Sequence, residues 1–291
     1  MASERRSRDA RARAEEALVR FALLAKEHAA DFVVIGGLNP DFLAPRAPSP
    51  HLGTTDVDIL FELGFVYDRD QQDFSWLDRV LVDGGFAPVP AAPGWRWDAI
   101  LGGTRVRLDL LCDVSDSQGQ AVALPGATEA SAQNLDGPAA ALVNPIERAL
   151  LVPSRVRVEH PDAPAEIRLR FASHGGYLAA KAAALLARGA DKDAYDLMFV
   201  VMYGAGGARG AAEAVASMTM PSGRSPVTPI VEAAVKRFVD PESRWTAAAV
   251  RQLRESGDDA EVDQLRADVS VAAQSFLREL HEPRASDGFG Y

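Results

Sequence analysis

The stretch FVVIGGLNPDFLAPRAPSPHLGTTDVDILFEL, residues 32–63, sets the fold of this chain. An apolar run, Phe32 to Ile35, ends in Gly36-Gly37, and about twenty residues later a second apolar run carries Asp56 and Asp58. Residues one apart on a strand point to the same face. Two carboxylates on one face of the otherwise apolar VDILFEL repel each other and are costly to strip of water unless a positive charge sits between them. A divalent metal is the economical occupant, with Asp56 and Asp58 as its ligands.

Working outward, Ala17, Leu18, Phe21, Leu24 and Ala25 recur at helical spacing, which predicts a helix over residues 10–29. Pro40, Pro45, Pro48 and Pro50 mark an irregular connection between the first strand and a second over 57–63. A helix over 72–83 is stopped by Gly84-Gly85, and short strands follow at 86–89 and 95–100. After the Gly102-Gly103 turn, RVRLDLLCD alternates Val106, Leu108, Leu110 and Cys112 on a core face with Arg105, Arg107, Asp109 and Leu111 on the other. Asp109 is thus a third strand carboxylate, opposite that core face. Strands at 155–159 and 166–171 extend an α/β unit over residues 1–172. The remainder is expected to be a helical unit over 173–282, with helices at 177–188, 192–203, 211–218, 230–238, 247–254 and 262–280, and then a disordered tail over 283–291. Gly189 stops the first of these helices, and Asp191 is placed to cap the next.

The chain has 291 residues, 47% of them hydrophobic, enough for a sizeable core. No apolar run is long enough for a bilayer and no secretory leader is evident, so a soluble cytoplasmic protein with no membrane partner is expected. Cys112 is the single cysteine, which excludes an intrachain disulfide framework and a cysteine-rich zinc site. A net charge of −10 argues against a uniformly basic nucleic-acid binder, and leaves only a local arginine-rich segment, 148–170, to track a phosphate backbone.

A Gly-Gly turn after a strand, two carboxylates on the next and a third on a later strand are what nucleotidyl transfer needs. The glycines let the backbone approach a triphosphate, and three carboxylates can hold two Mg²⁺ ions. Lys181 and Arg188, seven residues apart on one helix face, would both aim at one anionic target, a triphosphate. In this order VVIGG, TTDVDIL and RLDLLCD resemble the core of the polymerase-β-type nucleotidyltransferase superfamily, over residues 31–113. YLAAKAAALLARGADKDAYDLMFVV, residues 177–201, resembles the Lys, Arg, Lys-Asp, Asp-Leu signature of the AbiEii/MenT group, nucleotidyltransferase toxins of bacterial toxin–antitoxin systems.

The resemblance implies an α+β fold, with an N-terminal polymerase-β-like mixed sheet with flanking helices and a C-terminal helical domain. It implies transfer of NMP from an NTP to an acceptor hydroxyl, the 3′ end of tRNA, and a cognate antitoxin protein as partner. By it, Asp56, Asp58 and Asp109 would hold Mg²⁺ or Mn²⁺, and Asp109 would also deprotonate or position the acceptor. Gly36, Gly37, Thr54 and Thr55 would cradle the phosphates, Lys181, Arg188 and Lys192 would contact them, and Asp193 or Asp196 would be a further essential acid. Where many relatives carry a basic residue four before the first metal aspartate, this chain has Leu52, with Arg46 and His51 nearby.

Rival readings keep the chemistry or discard it. An aminoglycoside-type or protein nucleotidyltransferase changes only the acceptor, and the acidic net charge suits a polycationic one. An inactive nucleotide- or partner-binding module would need no metal. For single residues, Asp56 could cap a turn, Asp58 could pair with a buried arginine, Asp109 could be a solvated edge residue beside Arg107, and Asp193 and Asp196 could serve only the helix dipole and an i,i+4 pair with Lys192.

Overall fold

The structure is a computed structural model that describes residues 7–63, 71–115, 117 and 119–282. The strands are β1 (Phe32–Ile35), β2 (Asp56–Phe61), β3 (Ala87–Pro88), β4 (Arg96–Leu101), β5 (Thr104–Cys112), β6 (Ala121–Ala123), β7 (Ser131–Asn134), β8 (Ile146–Leu151) and β9 (Glu166–Phe171). They form one mixed, open sheet in the order β3-β4-β5-β2-β1-β9-β8, with β7 beside the end of β5 and β6 beside β7. The pairs β2–β5, β1–β9 and β5–β7 are parallel and the others antiparallel. The helices are α1 (Arg8–Ala25), α2 (Pro40–Leu43), α3 (Leu77–Asp83), α4 (Ser154–Glu159), α5 (His174–Arg188), α6 (Asp191–Tyr203), α7 (Gly207–Ala216), α8 (Thr228–Val235), α9 (Arg244–Glu255) and α10 (Val262–His281), so the class is α+β. No helix among the described residues is long and apolar enough to cross a membrane.

Period-two alternation sorts the central strands between two cores. Phe32, Val34, Val57, Ile59, Phe61, Val106, Leu108 and Leu110 pack with Ala14, Leu18 and Phe21 of α1. Val33, Ile35, Leu60 and Leu111, on the opposite face, pack with Tyr177, Leu178, Leu197 and other residues of the C-terminal helices. All four residues of β1 are buried, as expected of a strand covered on both sides. The face that carries Asp109 is therefore covered as well, and Asp109 is only 7% exposed. A helical layer that lies more than sixty residues further along the chain supplies this cover, and alternation within β5 alone carries no trace of it.

Several local expectations give way to tertiary contacts. Residues 155–159 alternate like a strand, but Pro153 and Ser154 start a helix there, with Val156 buried and Val158 79% exposed. In the helix Arg155 and Glu159 fall one turn apart and both reach α1, Arg155 at Glu16 and Glu159 at Arg20. Arg170 is likewise turned inward onto the Ala30 carbonyl, so two arginines of the basic segment 148–170 serve the fold. The opening helix stops at Ala25 because Lys26 takes a left-handed φ of 54°, and a short 3-10 turn follows to Ala30. The helix expected from residue 72 starts at Leu77, because Asp73 accepts the Ser75 N–H and the Phe74 N–H is tied to the Pro125 carbonyl. Asp191 does not cap α6: Ala190 holds the cap position, and the Asp191 carboxylate pairs across the surface with Arg251 at 2.7 Å. The expected tail, 283–291, lies outside the described residues.

Candidate active site between the sheet and the helical layer

β2 opens with the two carboxylates predicted to share a face, and that face looks toward the helical layer, since Leu60 continues it into the second core. Above them the chain turns at Gly36, whose φ of +72° favours glycine. A Cβ at Gly36 would lie 1.9 Å from Asp58 Oδ2, and one at Gly37 2.6 Å from Thr54 Cβ. Gly36 is thus needed so that backbone can close over the Asp58 carboxylate, and Gly37 so that it can close over Thr54. Asn39 holds the turn, its side-chain amide donating to the carbonyls of Val34 and Gly36 at 3.2 and 3.3 Å. The Thr54 hydroxyl accepts the Asp56 N–H at 3.0 Å, and the Thr55 hydroxyl donates to Asp56 Oδ1 at 3.4 Å, so both threonines shape the entry to β2.

The third carboxylate arrives by register: in the parallel β2–β5 pair, Asp58 stands opposite Asp109. The adjoining antiparallel pair sets Arg96 opposite Asp109. Arg96 Nε and Nη2 donate to the two Asp109 oxygens at 2.7 and 2.6 Å, and the guanidinium also rests 4.4 Å from the centre of the Trp95 ring. Arg107 lies 3.9 Å from Asp56 Oδ1 and 3.3 Å from Asp98 Oδ1.

This crowding shows in proton affinities. Burial, and then the charges of Asp109 and Asp56, push the Asp58 carboxyl up to about 7, against the weaker pull of Lys192 and Lys181. Burial also raises Asp109, although the hydrogen bonds from Arg96 oppose it. Among the described residues no hydrogen-bond donor or cation is paired with Asp58. The donors here are hard oxygens, which suit Mg²⁺ or Mn²⁺, and the cost of ionising Asp58 beside two other carboxylates is what a divalent cation would relieve. Asp56 and Asp58 fit such an ion. Asp109 is closed to it by Arg96, and among the described residues no three His, Cys, Asp or Glu side chains are already gathered as a metal cluster.

The helical wall carries the cations. On α5, Lys181 and Arg188 lie seven residues apart on one face, and on α6 Lys192, Asp193 and Asp196 fall within little more than a turn. Lys181 Nζ donates to Asp196 Oδ2 at 2.7 Å and lies 3.6 Å from Asp193 Oδ1. Arg188 grips Asp193 with Nε and Nη2 at 2.6 and 2.7 Å. Lys192 Nζ reaches across to within 3.9 Å of Asp56 Oδ2. Burial works to deprotonate Lys181, yet Asp196 and Asp193 outweigh it and raise its proton affinity above that of an ordinary lysine, so it stays charged.

His51 completes this wall. Its Nδ1 accepts the Gly53 N–H at 3.3 Å, which leaves the proton on Nε2 to donate to Asp196 Oδ1 at 3.0 Å. The ring stacks 4.8 Å from that of Tyr195, whose hydroxyl accepts the Leu52 N–H at 2.9 Å. Position 52 thus carries no basic side chain, but its backbone and its neighbour His51 are bolted to α6.

The twelve residues singled out from the sequence therefore gather where the sheet meets the helical layer. Thr54 and Thr55 brace β2, and Asp193 and Asp196 are engaged by Lys181, Arg188 and His51. Arg96 and the role of His51 were missed. The first had a signal: the two-residue Gly102-Gly103 turn fixes a hairpin register in which Arg96 must face Asp109. The second had none, because His51 and Asp196 are 145 residues apart.

No protein-family profile matches the sequence, and no curated protein matches it. Among solved structures the chain is similar to JHP933 from Helicobacter pylori, with 12% identity, 94% of each chain covered and a TM-score of 0.46.

Proposed function

We propose that this chain is a metal-dependent nucleotidyltransferase that moves NMP from an NTP to an acceptor hydroxyl with release of pyrophosphate, on a polymerase-β-like sheet. The observation that carries the proposal is Asp58: a carboxylate roofed by the Gly36-Gly37 turn, opposite Asp109 and beside Asp56, with a cationic wall facing it. A Mg²⁺ or Mn²⁺ ion held by Asp56 and Asp58 would supply charge against the phosphates and lower the pKa of the attacking hydroxyl.

The chain's own residues do the rest. Gly36 and Gly37 let the turn lie directly against Asp58 and Thr54, which would bring backbone close to a triphosphate held by the Asp58 metal, and Lys192, about half exposed next to Asp56, can turn onto an incoming phosphate. Lys181 is held charged by Asp196 and Asp193 and adds a fixed positive field, the kind of pre-set electrostatics that supplies most of such rate enhancements. Asp109, with its raised proton affinity, is suited to take the acceptor's proton once one of its oxygens is free of Arg96. The acceptor oxygen then bonds to the α-phosphorus as the bond between that phosphorus and the α–β bridging oxygen breaks, and pyrophosphate leaves.

The 3′ end of tRNA as acceptor, and action as the toxin of a toxin–antitoxin pair with a cognate antitoxin, rest on the resemblance of residues 177–201 to the AbiEii/MenT signature. A second reading, a nucleotide-binding module without turnover, is favoured by one observation, the occupation of both Asp109 oxygens by Arg96. Incubation with Mg²⁺, total bacterial tRNA and each NTP labelled at the α-phosphate separates them. Label on RNA, absent with Asp58→Ala, supports the transferase; label on protein redirects the acceptor; nucleotide binding with no label anywhere supports the module. Loss of at least about a thousandfold in rate is expected for Asp58→Ala, from the combined loss of metal and electrostatic stabilisation.

A further inference from the structure

Arg96 holds both oxygens of Asp109, and in the proposed reaction it figures only as the group that must let go. Its Cα is fixed by the β4–β5 pairing directly opposite Asp109, so only its side chain is free to change partner. The guanidinium takes both Asp109 oxygens in a two-pronged, charge-assisted grip, so a cation beside Asp58 must compete with Arg96 for that carboxylate. Displaced from Asp109 it still has a support, the Trp95 ring 4.4 Å away, and its side chain is 29% exposed, so it is not sealed into the core.

We propose that Arg96 is a displaceable lock on the third carboxylate: it occupies Asp109 until a divalent cation competes for that carboxylate, and then turns to the phosphates of the anionic ligand that enters with the cation. This rests on the metal-dependent reading above. Arg96 is thereby a positioning residue with two partners, and its exchange couples metal capture to nucleotide capture. The lock also explains how three carboxylates pack in one half-buried cleft: Arg96 and Arg107 each neutralise one of Asp109 and Asp56, and only Asp58 is left against like charge.

The test is Arg96→Gln, with Mn²⁺ binding followed by its electron paramagnetic resonance signal and Mn²⁺–NTP binding by calorimetry, in the full chain. Loss of the lock should tighten binding of Mn²⁺ alone by about tenfold, the lower range of what a charged hydrogen-bond pair is worth. Binding of the NTP at saturating Mn²⁺ should weaken by a similar factor, about tenfold. Opposite signs are the expected result. A residue that merely stabilises the cleft would weaken both, and any combination other than tighter metal with weaker nucleotide overturns the lock. Arg96→Lys, which keeps the charge without the fork, should shift both the same ways by smaller factors and carries the test if the glutamine variant does not fold. Asp58→Asn separates the two claims. If the parent binds Mn²⁺ in an Asp58-dependent way and Arg96→Gln fails to split the affinities, the lock alone falls. If neither the parent nor Arg96→Gln binds Mn²⁺, the metal-dependent reading falls and the lock with it.

Discussion

Two groups of acids face each other across the cleft, and they are held in opposite ways. On the helical wall Asp193 and Asp196 meet Lys181, Arg188 and His51 at 2.6–3.0 Å, a closed set in which every charge has a counterpart. On the sheet Asp58 stands against Asp109 and Asp56, and burial drives its proton affinity far above the carboxylate norm. A buried charge with partners is finished structure; a buried charge set against like charge is stored cost, released only by a ligand. The contrast separates acids whose charge is matched within the fold from an acid whose charge is not.

The strongest way to break this comparison is to remove a partner from the closed set. Asp196→Ala leaves Lys181 buried at 8% exposure with its nearest carboxylate gone, and should cost ~3–5 kcal/mol in chemical denaturation. A double variant, Lys181→Met with Asp196→Leu, should recover a large part of that loss, because no charge is then left buried alone. If the single change costs no more than a surface pair, the wall is not the closed set described.

The same operation on the sheet should have the opposite sign. Asp58 has a raised pKa in the folded protein, so the folded state binds the extra proton between about pH 4 and about pH 7, and its stabilising influence is lost as pH rises through that window. Metal-free parent protein should therefore lose thermal stability across the interval, while Asp58→Asn stays flat and melts higher than the parent at pH 8. Added Mg²⁺ should raise the parent's melting temperature at pH 8 and leave that of Asp58→Asn unchanged. A parent no less stable at pH 8 than at pH 5 would remove the stored cost from the account.

Smaller effects refine the boundary of the closed set. His51→Gln keeps a donor near Asp196 but loses the stacking on Tyr195, and should cost about 1–2 kcal/mol, with a larger change in the KM for NTP than in kcat if it acts by holding Asp196 and Lys181 in place. The exposed pair Arg251–Asp191 is the control: Arg251→Ala should leave the melting temperature unchanged within error.

How much of this was legible follows from range along the chain. Asp56 and Asp58 could be placed on one face by alternation alone, and Asp109 opposite the core face of its own strand, whereas the register that sets Asp109 against Asp58 could not be read that way; the Gly36-Gly37 turn was legible from its position after an apolar strand. Arg96 was within reach, because a two-residue turn sets the pairing of everything that flanks it. The partners of Asp196 were not, since His51 meets α6 through an irregular loop. Neither was the helix at Ser154–Glu159, where alternating valines suggest a strand but Glu16 and Arg20 of α1 reward the helical spacing of Arg155 and Glu159. Local preference lost there to ion pairs 139 residues away.

The position of β1 in the sheet also dictates an order of birth. Val34 pairs on one side with Ile59 and on the other with the strand that ends at Phe171. During synthesis the glycine turn and both β2 carboxylates leave the ribosome on the order of ten seconds before Lys181 and Asp196 exist, at ordinary elongation rates. A nascent chain that stops short of α5 carries the acids without the cations that face them. The helical wall that supplies Lys181, Arg188 and Lys192 is therefore the last part of this charged cluster to be made.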